Sequence, residues 1–351
     1  MSTPDDTLVI GPAWVGDMVM AQALFMLLKR RHPARAIDVV APGWSQPLLR
    51  RMPEVRHAHG LAVEHGQLGL GQRLRLGRQL RGRYGRAIVL PNSFKAALLP
   101  WQARIAVRTG FLGEWRWGLL NDIRPLDRHA LPRTVDRFLA LGMARGEPLP
   151  EPLPLPLLAA PRPQALATLR AVTMTGATEA GPWPVAAADR PLMVLCPGAE
   201  YGPAKRWPPA RFAALAAIVG ERGWRVVVCG SAREQALGEQ IAAAAGPACR
   251  NLAGATTLDQ AVDLLSLATC VVSNDSGLMH VAAALGRPVI ALFGSSDPHH
   301  TPPLGSHTRV VSLGLPCAPC FRRVCPEQHL RCLTGITVEQ VLAQWEELNP
   351  A

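Results

Sequence analysis

Residues 273–280 read Ser-Asn-Asp-Ser-Gly-Leu-Met-His and place polar side chains and a glycine where the chain should change direction. They follow a short apolar segment, 270–272, and precede a run of small residues, 281–285, a pattern that predicts a strand turning into a helix. Such a turn presents backbone N–H groups and the positive end of the helix dipole, which suit a diphosphate. The alternative is an ordinary turn in which Ser276 or Asp275 merely caps the helix.

Individual groups of this turn could hold phosphate oxygens. They are the Ser276 hydroxyl and the backbone N–H groups of Gly277 and Leu278. His280, one helical turn further on, could add a hydrogen bond. A lone histidine of this kind is more often structural than functional, so both interpretations stay open.

A second candidate is Lys205, in the Gly- and Pro-rich loop 197–208. The chain has three lysines, Lys29, Lys95 and Lys205, against 34 arginines. A compact ammonium group suits the stabilisation of a departing diphosphate. The alternative is a surface lysine without a function.

A third candidate is Asp17, which ends the loop Gly-Pro-Ala-Trp-Val-Gly-Asp at 11–17. A P-loop has lysine where Asp17 stands, and the Gly-x-Gly-x-x-Gly spacing of dinucleotide folds is absent. A carboxylate here would repel phosphates, but it could accept a proton from an attacking hydroxyl. A helix N-terminus weakens a carboxylate as a base unless burial in a closed cleft offsets this effect. Asp17 could instead be the N-cap of a helix over 18–31.

Short apolar strands alternate with helix-length stretches along the whole chain, which predicts an α/β protein with parallel sheets. A Pro-rich stretch at about 147–163 interrupts this rhythm and is interpreted as a linker. We therefore expect two doubly wound domains, 1–160 and 161–351, the second ending in a helix at about 337–349. Facing each other, they would place the carboxyl ends of both sheets around one central cleft.

Positive charge is concentrated in the N-terminal part of the chain. Residues 1–160 hold 22 Lys and Arg against 12 Asp and Glu, whereas residues 161–351 hold 15 against 14. This field favours nucleic acid, an anionic membrane surface or a phosphorylated substrate. The densest segment, 73–86, has a Leu-interleaved helical pattern, for which a solvated helix face is the simpler interpretation.

Neither an export signal nor a membrane span is apparent in the sequence. The acidic N-terminus lacks a charged region followed by an apolar one, and the longest apolar run, 18–28, is too short to cross a bilayer. The eight cysteines are then most simply reduced thiols, and we expect a cytoplasmic protein.

Five ordered motifs together carry a family resemblance. They stand at 11–18, 90–98, 108–116, 196–208 and 274–285. With them the chain resembles the ADP-heptose:lipopolysaccharide heptosyltransferases of glycosyltransferase family 9, in particular the heptosyltransferase II branch. The resemblance implies the two-domain GT-B fold and inverting transfer, with the acceptor on the N-terminal Rossmann-like domain and ADP-heptose on the C-terminal one. One departure is Glu200-Tyr201, where the related heptosyltransferase I has two threonines.

The resemblance also implies a role for each candidate residue. Asp17 would be the general base, and Lys205 the cation on the departing ADP. Asp275, Ser276, Gly277, Leu278 and His280 would line the sugar donor, with Glu234 the nearest carboxylate for its ribose. We assign Lys95, Arg108 and Arg116 as acceptor contacts on the basic domain.

The function implied is transfer of L-glycero-D-manno-heptose from ADP-heptose to the first heptose of heptosyl-Kdo2-lipid A. The partners would be these two substrates and, peripherally, the cytoplasmic face of the inner membrane, without nucleic acid. Two alternatives stay open: a family sibling with another acceptor, such as heptosyltransferase I or III, and a non-enzymatic polyanion-binding protein.

Four cysteines, Cys317, Cys320, Cys325 and Cys332, lie within 16 residues. They could form a structural zinc site, remain free thiols or include a redox-sensitive pair. No metal or other cofactor is assigned to catalysis.

Overall fold

The computed structural model describes residues 5–62, 67–175 and 190–348, and the chain divides into two compact units, Met1–Ala159 and Ala160–Ala351. The first unit contains β1 (Thr7–Ile10), α1 (Val15–Arg31), β2 (Ile37–Pro42), α2 (Gln46–Leu49), β3 (Val55–Leu61), α3 (Leu70–Gln79), β4 (Arg86–Val89), α4 (Phe94–Gln102), β5 (Val107–Phe111), β6 (Asp122–Arg124) and α5 (Thr134–Gly142).

The strands of the first unit form one parallel sheet in the order β3-β2-β1-β4-β5-β6. Its central strands are buried apolar runs, as expected for a sheet covered on both faces. The strand order reverses between β1 and β4. Ligands of such sheets bind outside the carboxyl ends of the strands at this point, where Asp17 follows β1.

The proline-rich segment is held against the first unit. The buried Gln22 of α1 donates from Nε2 to the Leu157 carbonyl (2.7 Å) and accepts at Oε1 from the Leu157 N–H (3.0 Å). The Ala159 N–H donates to the Arg51 carbonyl (2.9 Å). These hydrogen bonds provide partners for backbone groups that a proline-rich segment cannot pair in a sheet.

The second unit repeats the alternation of strands and helices. It contains α6 (Arg162–Thr175), β7 (Leu192–Cys196), α7 (Pro209–Glu221), β8 (Arg225–Val228), α8 (Gln235–Ala245), β9 (Cys249–Asn251), α9 (Leu258–Ser266), β10 (Cys270–Asn274), α10 (Gly277–Ala284), β11 (Val289–Leu292), β12 (Thr308–Val311), α11 (Arg331–Thr334) and α12 (Val338–Leu348).

The second sheet has the same topology as the first. Its strands are parallel in the order β12-β11-β10-β7-β8-β9, and the order reverses between β7 and β10. Loop 197–208 follows β7, and Asp275 follows β10. The buried Trp207 packs edge-on against Phe212 (ring centroids 4.9 Å apart) and anchors the end of that loop in the core.

The basic segment 73–86 is not one helix, which corrects the helical pattern predicted for it. Helix α3 ends at Gln79, Arg81 and Arg83 lie in the following turn, and Arg86 opens strand β4. Glycine at 82, with φ of 76°, makes the turn between helix and strand.

Each helix in the described ranges falls short of the length or the apolar character that a membrane span requires.

Candidate active site

Lys205 and Asp275 form an ion pair where the strand order of the second sheet reverses. Lys205 Nζ lies 2.5 Å from Asp275 Oδ2, and Ser296 Oγ donates to the same oxygen, also at 2.5 Å. The Lys205 side chain is 17% exposed and Asp275 is buried. The three residues follow three neighbouring strands, β7, β10 and β11, so the sheet itself brings them together.

This arrangement separates the roles of the two charges. The ammonium of Lys205 can attract a diphosphate, whereas the Asp275 carboxylate would repel one. Asp275 would therefore influence a bound diphosphate only through Lys205, with which it forms the ion pair. Direct contacts of Asp275 with a sugar donor would be to hydroxyl groups, because a carboxylate accepts hydrogen bonds from them.

The N-terminus of α10 carries no side-chain cap. The N-cap residue is Ser276, whose hydroxyl lies 3.1 Å from the Ser273 hydroxyl. Ser276 therefore occupies the N-cap position, but its side chain makes no capping hydrogen bond to the helix. The first backbone N–H groups of the helix have no intrahelical acceptor, and they lie at the positive end of the helix dipole. They include the N–H groups of Gly277 and Leu278.

Asn274 fixes both ends of the Lys205 loop. Its Nδ2 donates to the Pro197 carbonyl (2.7 Å), and its Oδ1 accepts from the Trp207 N–H (3.0 Å). The indole N–H of Trp207 in turn donates to the Ile336 carbonyl (3.0 Å). Neither Asn274 nor Ser296 was predicted as a site residue, although polar residues directly after buried strands are the signal that points to them.

His280 is buried behind the ion pair, with 5% of its surface exposed. Burial lowers its pKa to about 4, and the charge of Lys205 adds to this effect against the opposite influence of Asp275. Its Nδ1 has no hydrogen-bond partner among the described residues. His280 is therefore neutral near pH 7, and its position is that of a buried structural residue next to the ion pair.

The His280→Asn variant should show a flatter dependence of stability on pH than the wild type. The unfolded-state pKa of 6.5 lies above the folded-state value of about 4, so between these values only the unfolded chain takes up the proton. The free energy of unfolding of the wild type therefore falls as the pH drops through this window, by up to about 1.4 kcal/mol per pH unit from this group.

Urea unfolding of both proteins from neutral pH to about pH 4 measures this difference. His299→Asn is the matched control for the substitution itself, because the His299 side chain is 92% exposed. Parallel curves for His280→Asn and the wild type would contradict a buried neutral histidine.

Glu234 lies beside the Lys205 loop, after β8. Its Oε2 accepts from the backbone N–H of Ser231 (2.8 Å) and from the Ser231 hydroxyl (2.5 Å), forming a capping box. A Cβ placed on Gly198 would lie 2.8 Å from the Glu234 carboxyl carbon, so any larger residue here would displace the Glu234 side chain. Its contact with the ribose remains a prediction.

In the first unit, Asp17 and Lys95 follow strands β1 and β4 and share the carboxyl edge of the sheet. Asp17 lies in the first turn of α1, is partly exposed, and is not the N-cap, which is Trp14. Lys95, in the first turn of α4, donates to the Gln67 carbonyl (3.0 Å). Both positions are compatible with the predicted roles.

The two predicted acceptor arginines bind the backbone of their own unit. Arg108 stands near the amino end of β5, away from Asp17, and donates to the carbonyls of Leu119 and Ile105, each at 2.6 Å. Arg116, 1% exposed, donates to the Pro91 carbonyl (2.7 Å) and to the Phe111 carbonyl. Neither arginine is therefore included in the proposed acceptor site.

The cysteine cluster gives no support to a structural zinc. All eight cysteines are free thiols, and within the described ranges no group of three or more His, Cys, Asp or Glu could hold a metal ion. Cys332 is buried, Cys320 and Cys325 are partly exposed, and Cys317 is exposed.

Comparisons with known proteins agree over most of the chain. The model of the family described as "Glycosyltransferase family 9 (heptosyltransferase)" matches residues 73–331. Lipopolysaccharide heptosyltransferase 2 of Escherichia coli (strain K12) is 46% identical over 352 residues, covering 97% of each chain. Lipooligosaccharide heptosyltransferase 2 of Haemophilus ducreyi is 46% identical over 313 residues, covering 87% of this chain and 88% of its relative.

The fold matches a solved structure of a similar protein. The structure described as E. coli ADP-heptose lps heptosyltransferase II superimposes with a TM-score of 0.84 at 44% identity, covering 98% of both chains. The predicted fold class, α/β with two Rossmann-like domains of the GT-B type, is confirmed.

Proposed function

Because the chain belongs to glycosyltransferase family 9, the heptosyltransferases, we propose that it transfers L-glycero-D-manno-heptose from ADP-heptose to the first heptose of the lipopolysaccharide inner core. The observation that carries the proposal is the Lys205–Asp275 ion pair beside the uncapped N-terminus of α10. Together they form a diphosphate site where the strand order reverses.

In the proposed reaction, the acceptor hydroxyl oxygen attacks the anomeric carbon of the heptose. The bond between that carbon and the diphosphate oxygen breaks, and its electron pair leaves with ADP. The carboxylate of Asp17 takes the proton of the attacking hydroxyl. The attack comes from the face opposite ADP, so the configuration at the anomeric carbon inverts.

Lys205 and the α10 N-terminus would stabilise the negative charge that develops on ADP. Both belong to rigid elements, since Asn274 holds the ends of the Lys205 loop. Preorganised charge of this kind needs no rearrangement when the bond breaks. These steps would use the chain's own residues and no resident cofactor.

We further propose that the first unit contacts the anionic surface of the membrane that carries the acceptor, on its cytoplasmic face. Trp115 and Trp117 are 82% and 58% exposed, and their rings pack edge to face with centroids 5.5 Å apart. The buried Arg116 between them ties their loop to Pro91. Exposed tryptophans on a basic domain favour the headgroup region of an anionic bilayer.

Replacing Trp115 and Trp117 together with serine should weaken binding to phosphatidylglycerol vesicles about tenfold or more, since the apolar area of two indoles is lost. Vesicle co-sedimentation measures this change. Trp101→Ser is the matched control, because Trp101 is 45% exposed and belongs to helix α4, outside this loop. Equal binding of the double variant and the wild type would rule out this surface.

The proposed function is tested by ADP release from ADP-heptose with three acceptor conditions. Heptosyl-Kdo2-lipid A should support release, whereas Kdo2-lipid A and the absence of acceptor should not. Release with Kdo2-lipid A would assign the chain to the preceding heptose transfer. No ADP release under any of the three conditions would favour a member of the family with another acceptor, or a polyanion-binding protein.

A further inference from the structure

A segment of the cysteine-rich region packs directly on the Lys205 loop. We propose that residues 317–325, here called the thiol loop, position Lys205 for the sugar donor through Arg323 and Tyr201. This inference rests on the proposed function, because it assigns Lys205 to the diphosphate. Arg323 and Tyr201 would be positioning residues that do not themselves touch the reacting atoms.

Three hydrogen bonds join the two loops. The Arg323 Nε–H donates to the Tyr201 carbonyl (2.7 Å), and the Arg323 carbonyl accepts from the Ala204 N–H (3.1 Å). The Tyr201 hydroxyl donates to the Phe321 carbonyl (2.7 Å). Ala204 is the residue directly before Lys205, so the thiol loop fixes the backbone that carries the ammonium.

The thiol loop also contacts the loop that orients Asp275, the other partner in the ion pair. The Phe321 N–H donates to the Ser295 carbonyl (2.7 Å), and the neighbouring Ser296 hydroxyl donates to Asp275. One short segment therefore contacts both the loop that bears Lys205 and the loop that orients its carboxylate partner. A shift of the thiol loop would displace both charges.

The ring of Tyr201 lies close to two cations. Lys205 Nζ is 5.1 Å from the ring centroid, and the Arg323 guanidinium carbon is 5.5 Å from it. An aromatic ring attracts cations to its face at such distances. Tyr201 thereby gives the ammonium a second fixed neighbour besides Asp275, which restricts the conformations of the lysine side chain.

Gly202 shows how closely the two loops approach. A Cβ at this position would lie 2.5 Å from the Arg323 carbonyl oxygen, which is backbone and cannot turn aside. Only glycine permits this contact. Gly202→Ala would therefore push the thiol loop away from Lys205 without removing any polar group.

The test compares Arg323→Ala with Arg322→Ala. Arg322 is an exposed arginine in the same loop, with no hydrogen bond or ion pair to any described residue, so its removal controls for net charge. Calorimetric titration with ADP should give a Kd about tenfold higher for Arg323→Ala and an unchanged Kd for Arg322→Ala. Arg323→Lys, which keeps a cation near the ring, should recover part of the affinity.

Steady-state kinetics separates positioning from general damage. Arg323→Ala and Gly202→Ala should both raise the KM for ADP-heptose and lower kcat, while the KM for the acceptor stays unchanged. Thermal unfolding identifies any variant that fails to fold. Tyr201→Leu then removes a contact between the thiol loop and the Lys205 loop independently, with the same expected loss of ADP affinity.

The inference is overturned if Arg323→Ala and Gly202→Ala fold and bind ADP as tightly as the wild type. A wild-type protein that binds ADP but transfers no heptose would contradict the proposed function alone. A loss of ADP affinity in Arg323→Ala would then still support the positioning of Lys205 by the thiol loop. A wild-type protein that binds no ADP would contradict both.

Discussion

Asp17→Asn is expected to lower kcat by about 10²–10⁴-fold, because the amide cannot accept the proton of the attacking hydroxyl. The substitution preserves the size of the side chain and its place in the first turn of α1. The KM for ADP-heptose should change little, since the diphosphate is assigned to the second unit. Initial rates of ADP release at saturating substrates give both constants.

The control for this variant is Asp5→Asn, which removes an exposed carboxylate from the same unit. It should retain the wild-type rate. If Asp17→Asn also kept more than about a tenth of the wild-type kcat, another group would have to be the general base. The polyanion-binding alternative predicts that Asp17→Asn leaves function intact.

Lys205→Met is expected to lower kcat/KM for ADP-heptose by about 10²–10³-fold, comparable to the loss of one preorganised transition-state contact. The effect has two physical causes. The leaving diphosphate loses its cation, and the buried Asp275 carboxylate is left without its partner, so it repels the ligand. The affinity for ADP, measured by calorimetry, and kcat/KM for ADP-heptose should both decrease.

If the unpaired charge of Asp275 causes part of the loss in Lys205→Met, neutralising Asp275 should recover part of the ADP affinity. Combining Lys205→Met with Asp275→Asn removes the unpaired carboxylate and should restore part of the ADP affinity, though not the rate. Lys29→Met is the matched control, because within the described residues Lys29 donates to two backbone carbonyls of the first unit and to no other group. An ADP affinity of Lys205→Met equal to that of the wild type would exclude Lys205 from the diphosphate site.

Most inner strands of the two sheets could be predicted from the sequence, but the inner strand β5 and the edge strands could not. Strands such as β1 and β7 are buried apolar runs that stand out from their surroundings. The edge strand β3 reads Val-Arg-His-Ala-His-Gly-Leu, and β9 has only three residues. Such strands are defined by pairing with a neighbour, a long-range interaction that leaves little local pattern.

The site was predictable where one motif contains the chemistry. The strand-to-helix turn before α10 and the loop of Lys205 are both local features. Asn274, Ser296 and Arg323 act across the sheet edge, on residues 67, 21 and 122 positions away in sequence. Spacing along the chain cannot reveal such contacts, although the order of strands explains them once it is known.

Arg108 and Arg116 show where charge counting fails. Both belong to the basic half of the chain and were expected to face an acidic acceptor. Their guanidinium groups instead bind backbone carbonyls, a use of arginine that depends on burial and not on net charge. The positive field of the first unit is real, but the sequence does not tell which arginines face solvent.

Inverting heptose transfer is tested by the anomeric configuration of the product, measured by NMR. Wild-type protein, ADP-heptose and heptosyl-Kdo2-lipid A should yield an acceptor that carries one additional heptose, joined with the configuration opposite to that in the donor. A retained configuration would contradict direct attack opposite ADP with Asp17 as base, and an acceptor without added heptose would contradict the transfer itself.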